Sequence, residues 1–130
     1  MRLHVNSLKS VNDSHGHNAG DELLIGAAGC LKKSFGAYGK LFRTGGDEFI
    51  ALLSVDEEQL IRIKQEIEEL TGAWRGKADQ TLTISCGYVA LKENPDMAIR
   101  QMAVLADSRM YEEKDAFYKR TGLERRKNKY

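Results

Sequence analysis

The chain has 130 residues, enough for one domain with one sizeable core. Hydrophobic residues make up 42%, which excludes wholesale disorder. Lysine and arginine number 20 against 19 acids, so the strong basic excess of a general nucleic-acid binder is missing. No apolar run approaches the roughly 20 residues needed to span a bilayer, and no signal-peptide pattern opens the chain. The cytoplasm is therefore the expected location. Two cysteines, Cys30 and Cys86, sit in apolar segments and read as core residues of a reducing compartment. The domain is expected over residues 1–122. A basic tail follows at 123–130, where Arg125, Arg126, Lys127 and Lys129 oppose Glu124 alone; it reads as a solvated end rather than a phosphate-binding arm.

In chain order, residues 1–5 read as a short strand. Residues 6–20 are rich in Asn, Asp, Ser, His and Gly and predict a loop with at most a short helix. Leu23, Leu24, Ala27, Ala28 and Leu31 recur at helical spacing, predicting a helix over 21–34 that Gly36 and Gly39 end. Residues 40–44 and 48–53 are strand-like. Gly45-Gly46 between them suits a tight hairpin turn, where glycine supplies positive φ.

Ser54 and Glu57 have capping-box spacing. The helix they open carries Leu60, Ile63, Ile67 and Leu70 on one face. Residues 81–91 predict a strand. Pro95 suits the first turn of a last helix, with Ile99, Met102, Ala103, Ala106 and Met110 inward as far as Tyr118. Hairpin strands must be antiparallel, so the fold class is α/β (α+β) with a mostly antiparallel sheet flanked by helices.

The chemistry gathers at the hairpin tip. Asp47 and Glu48 follow two glycines, and as adjacent strand residues they are expected on opposite faces. Lys9, Asn12, Asp13 and Asp21 lie in the polar stretch after the first strand. If that strand lies beside the hairpin, these groups converge at one end of the sheet. Carboxylates beside a glycine-rich turn and a lysine suit a metal-bound polyphosphate; an ordinary hairpin with acidic turn residues is the alternative.

The series Leu8-Lys9-Ser10-Val11-Asn12-Asp13, Gly16-His17, Gly20-Asp21, Leu23-Leu24 and Arg43-Thr44-Gly45-Gly46-Asp47-Glu48-Phe49 resembles the GGDEF family in residues and order. Leu82-Thr83-Ile84-Ser85-Cys86-Gly87, and Ala106-Asp107 through Met110-Tyr111 to Lys114, resemble its later motifs. The resemblance implies a five-stranded domain like the palm of nucleotide cyclases and polymerases (ferredoxin-like). It implies a diguanylate cyclase, a nucleotidyltransferase of bacterial second-messenger signalling. Two such domains form a homodimer, each holding one GTP, and condense the pair into cyclic di-GMP and pyrophosphate with Mg2+ or Mn2+.

By position, the resemblance gives Asn12 and Asp21 the guanine edge. Ser7, Leu8 and Lys9, with Lys114, would hold phosphates. Gly45 and Gly46 would let the backbone approach the nucleotide, and Arg43 would brace the acids. Asp47, the Val5 backbone carbonyl and Glu48 would hold metal, with Glu48 alternatively the base for the 3′-hydroxyl; Asp47 and Glu48 are thus the catalytic pair.

Four departures matter. His4 stands where the family has its first metal-binding aspartate, and imidazole serves magnesium poorly but suits manganese or zinc. His4 is either that weaker ligand or a strand-end residue with no metal role. The product-inhibition Arg-x-x-Asp is replaced by Gly36-Ala37-Tyr38-Gly39, so no such site is expected. Tyr118 takes the place of a phosphate-binding arginine. The family's opening helix is missing, which points to a piece of a longer protein with an upstream regulatory domain or to an unusual assembly. His15 and His17 form an H-x-H pair not expected to bind metal.

Two functional readings follow: a cyclase domain working as a dimer, or a degenerate domain that binds GTP or a partner and regulates a neighbour. An unrelated ferredoxin-like fold would require setting the whole motif series aside.

Overall fold

The computed structural model describes residues 1–122; the tail expected at 123–130 lies outside the described residues. The elements are β1 (Arg2–Val5), α1 (Leu8–His15), α2 (His17–Phe35), β2 (Gly39–Arg43), β3 (Glu48–Leu53), α3 (Glu57–Ala73), β4 (Ile84–Gly87) and α4 (Ile99–Thr121). The strand order is β2-β3-β1-β4 and every pairing is antiparallel. Of the five strands that the family resemblance implies, four form among the described residues. The segment before β4 adds only an antiparallel bridge between Arg75 and Thr81.

β1 is central, so both of its faces are covered. Leu3 and Val5 are fully buried in one core with Phe49, Ala51, Leu23, Ala27, Leu31, Ile63 and Ile67. That core is the meeting of the sheet with α2 and α3. On the opposite face α4 packs across β4 and β1, burying Ala106 and Met110 and leaving Phe42 and Leu52 of the hairpin exposed. Among the described residues no helix is long and apolar enough to cross a membrane.

The polar stretch 6–20 is mostly helical rather than loop. Its polar residues form the outer side of α1, whose Val11 is buried. A glycine at Gly16, with φ 89°, allows the chain to turn directly into α2, which begins at His17, ahead of the expected 21. The capping box opening α3 is Asp56 with Gln59, not Ser54 with Glu57. Asp56 Oδ1 accepts from the Gln59 N–H at 2.8 Å and Gln59 Oε1 accepts from the Asp56 N–H at 2.9 Å.

β4 is shorter than the predicted 81–91 because only residues 84–87 find β1 as a partner. Pro95 lies in a turn before α4, not in its first turn. Ile99 is 82% exposed, and Ala103 is exposed too; the inward face of α4 starts a turn later and runs through Ala106, Met110 and Phe117. Gly45 and Gly46 are not among the positive-φ residues. Thr44 through Asp47 form a wider loop than the two-residue turn that would demand such φ.

Candidate active site at the β1–β3 end

The register of the central strands builds the site. His4 on β1 lies directly opposite Glu48 on β3, so both side chains stand on the α4 face of the sheet. Asp47 belongs to the bend before β3, and its carbonyl accepts from the Val5 N–H at 2.8 Å. Strand alternation therefore does not separate it from Glu48, contrary to the expectation of opposite faces. His4, Asp47 and Glu48 each bring a donor atom within 4.8 Å of the others. His4 Nδ1 is 3.6 Å from Asp47 Oδ2, and the His4 side chain is buried while Asp47 is partly open.

One imidazole and two carboxylates at that span fit a divalent ion with metal–ligand bonds of roughly 2 Å after small rotamer changes. The donor set is mixed nitrogen and oxygen, which suits manganese or zinc better than magnesium. The Val5 backbone lies beside the Asp47 loop through the bond just given.

The hairpin tip next to Asp47 is open: a Cβ at Gly45 or Gly46 would meet nothing within 4 Å. Arg43 does not brace the acids. Its Nε and Nη2 donate to the carbonyls of Gly45 at 3.2 Å and Gly46 at 2.8 Å, and so hold the shape of the loop.

β1 runs straight into α1, which places Ser7 at the turn between them and Leu8 and Lys9 at the start of the helix. Ser7 is left-handed, with φ 67° and no side-chain cap bond to the helix. Its N–H donates to Tyr118 Oη at 3.1 Å. Lys114 precedes Tyr118 by one helical turn and so shares its side of α4; its ammonium sits 5.3 Å from the Tyr111 ring centroid. Lys9 forms an exposed i,i+4 pair with Asp13 at 3.2 Å.

Asn12 packs against Gly20 of α2, where a Cβ would collide with the Asn12 side-chain oxygen. That oxygen is buried and has no hydrogen-bond partner among the described residues. Asp21, the next residue of α2 after Gly20, is exposed. His15 and His17 are both exposed.

Sequence reasoning missed two contacts. Arg2 Nη2 lies 3.2 Å from Glu48 Oε1 and 3.1 Å from Asp107 Oδ1. Two-residue spacing from His4 was the available signal, since i and i+2 share a strand face. Asn6 is buried at the end of β1, donating to Ser85 Oγ at 3.0 Å and to Thr83 Oγ1 at 3.3 Å. These bonds fix the β1–β4 edge beneath the site.

The family model for "Diguanylate cyclase, GGDEF domain" matches residues 1–120. The chain is 35% identical over 121 residues to the probable diguanylate cyclase DgcT of Escherichia coli, covering 88% of this chain and 26% of that protein. It is 30% identical over 114 residues to the diguanylate cyclase DosC of the same organism, covering 84% of this chain and 24% of that one. It thus spans about a quarter of the length of these relatives. Among solved structures, an EAL/GGDEF domain protein from M. capsulatus superposes with a TM-score of 0.73 at 28% identity, over 88% of this chain and 76% of that chain. With the family model, the ordered motifs and the fold in agreement, this chain belongs to the GGDEF family.

Proposed function

We propose that the chain is a diguanylate cyclase domain acting in cyclic di-GMP signalling in the cytoplasm, with its magnesium-dependent activity weakened by His4. The observation that carries this reading is the meeting of His4, Asp47 and Glu48 next to an open glycine tip. Asn12 and Asp21 read the guanine edge; the unpartnered Asn12 oxygen supports this, because a buried acceptor left unsatisfied costs about 1–3 kcal/mol. The amides of Ser7, Leu8 and Lys9 and the ammonium of Lys114 hold the phosphates.

Asp47, Glu48, the Val5 carbonyl and His4 would hold a divalent ion, which would supply charge neutralisation at the phosphates and acidify the attacking hydroxyl. Two copies of the domain face each other, each holding one GTP. Each ribose 3′-oxygen bonds to the α-phosphorus of the other nucleotide, giving up its proton to water, or to Glu48 where that carboxylate serves as the base and not as a metal ligand. Each pyrophosphate leaves with the electron pair of the broken bond. Gly45 and Gly46 admit the nucleotide without steric contact, and Arg43 keeps their carbonyls fixed.

The decisive experiment is incubation with GTP and magnesium, then manganese, followed by chromatography for cyclic di-GMP. Product with manganese, and more product with magnesium after His4→Asp, is expected. If His4→Asp brings no rise, the metal role of His4 is wrong.

A second reading has its own observation in its favour: Glu48 is already tied to a guanidinium. On that reading the chain is a degenerate domain that binds GTP or a partner and regulates a neighbour, such as an upstream domain of a longer protein. GTP binding by calorimetry with no product under either metal, in the chain or in His4→Asp, would favour it.

A further inference from the structure

Arg2 is a cation placed where a metal site needs anions. Its side chain is 22% exposed, Glu48 is 28% exposed and Asp107 is 37% exposed, so the three groups are only partly screened by solvent. A single nitrogen, Nη2, makes both carboxylate contacts, while Nε is buried with no hydrogen-bond partner among the described residues. A guanidinium used purely as a structural clamp would spread its donors over both acids in a fork. This one is under-used.

Its geometry also provides a second seat. Glu48 comes from β3 and Asp107 from α4, so the guanidinium can give up one carboxylate while keeping the other.

We propose that Arg2 is a resident counter-ion of the metal site, a positioning residue that holds Glu48 in the ion-free chain and yields it to an incoming divalent cation by resting on Asp107. The proposal rests on the metal role of Asp47 and Glu48 in the reading above. The guanidinium prevents Glu48 and Asp47 from repelling each other when no ion is present. It opposes metal entry by its own charge, and so sets how much metal the domain needs. Asp107 acts as the receiver: the more firmly it can hold Arg2, the more freely Glu48 turns to the ion.

The test is a manganese titration of the full chain, read by the loss of the free-ion electron paramagnetic resonance signal, with circular dichroism as the check on folding. Arg2→Met keeps an unbranched stem and removes the charge. It should tighten manganese binding on the order of tenfold, the size of a unit charge acting on a divalent ion a few ångströms away even in a water-like dielectric. Asp107→Asn removes the receiver, ties the guanidinium to Glu48 and should weaken binding several-fold.

Unchanged or weaker binding in folded Arg2→Met overturns the proposal. Should that variant fail to fold, Asp107→Asn decides, and unchanged or tighter binding there overturns it. If the chain makes cyclic di-GMP while manganese affinity ignores both substitutions, the Arg2 role falls and the cyclase reading stands. If affinity moves as expected and no product forms, the Arg2 role stands and the cyclase reading falls. No manganese binding in the chain or either variant overturns both.

Discussion

The Ser7 backbone N–H donates to the hydroxyl of Tyr118 at 3.1 Å, across 111 positions of sequence. One residue thus joins the end of α4 to the turn between β1 and α1. The bond caps a non-glycine residue held in the left-handed region, which lacks a side-chain cap of its own. Tyr118→Phe should cost about 1 kcal/mol, the usual net value of one hydrogen bond, seen as a lower urea midpoint at unchanged slope. The same change frees the Ser7 amide for a phosphate. The rise in melting temperature on adding GTP should therefore be larger in Tyr118→Phe than in the parent. A smaller rise would show that the tyrosine hydroxyl itself contacts the nucleotide.

Asn6, Ser85 and Thr83 form a small polar knot in which Asn6 and Ser85 are almost fully buried. Asn6→Ala strands the Ser85 hydroxyl and should cost about 2–3 kcal/mol of unfolding free energy. The double change Asn6→Ala with Ser85→Ala should cost clearly less than the two single losses added together, because both partners of the knot are then gone. Additive losses would mean that the knot contributes no coupling across the β1–β4 edge.

Cys86 supplies a pH signature. Burial pushes its thiol up to about 12 from an ordinary 9.0, with the nearby Glu113 carboxylate adding to the rise. The folded chain then holds the thiol proton more tightly than the unfolded chain. This contribution to stability is fully present below pH 9.0 and is lost as the pH rises toward about 12. Cys86→Ala should flatten the alkaline limb of the stability curve, measured by urea unfolding across that window. Native Cys86 should also react with iodoacetamide at mildly alkaline pH far more slowly than the thiol of the urea-unfolded chain, since the thiolate is the nucleophile. Equal rates would contradict the desolvation of this partly buried thiol.

Much of this was legible in the sequence because it rests on local pattern. The stripe of Leu23, Ala27 and Leu31 and that of Ile63 and Ile67 gave two helices and their inward faces, and both stripes are buried. The motif order marked Asp47 and Glu48. What was not legible depends on partners far away in the chain. Polar residues 6–20 read as loop because composition alone does not reveal that Val11 has a core to enter. The short β4 is set by how far β1 extends beside it. β3 starts at Glu48, as its pattern predicted; Asp47 and Glu48 meet because Asp47 lies in the bend ahead of the strand, where alternation does not apply. Arg2 reads as a polar residue in a short strand until Glu48 and Asp107 arrive from positions 46 and 105 residues on.

The contact between Asn12 and Gly20 separates a role in stability from a role in recognition. A Cβ at Gly20 would strike the far end of the Asn12 side chain, with the Leu8 methyl next at 3.2 Å, and not the backbone of another element. The obstruction can be relieved by rotating Asn12 away. Gly20 lies within α2, where alanine is favoured over glycine by about 1 kcal/mol. That gain opposes a packing cost of about 1–3 kcal/mol, so Gly20→Ala should shift stability by little more than about 1 kcal/mol either way. Asn12 would no longer hold its amide against Gly20, and the preference for GTP over ATP in a binding titration should fall by about tenfold or more, the scale of a lost polar contact to a base. Asn12→Ala should show the same loss without the helix gain. If Gly20→Ala keeps full preference for GTP while Asn12→Ala loses it, Asn12 reads guanine from a side-chain position other than the one packed on Gly20. If both keep it, Asn12 has no part in reading the base.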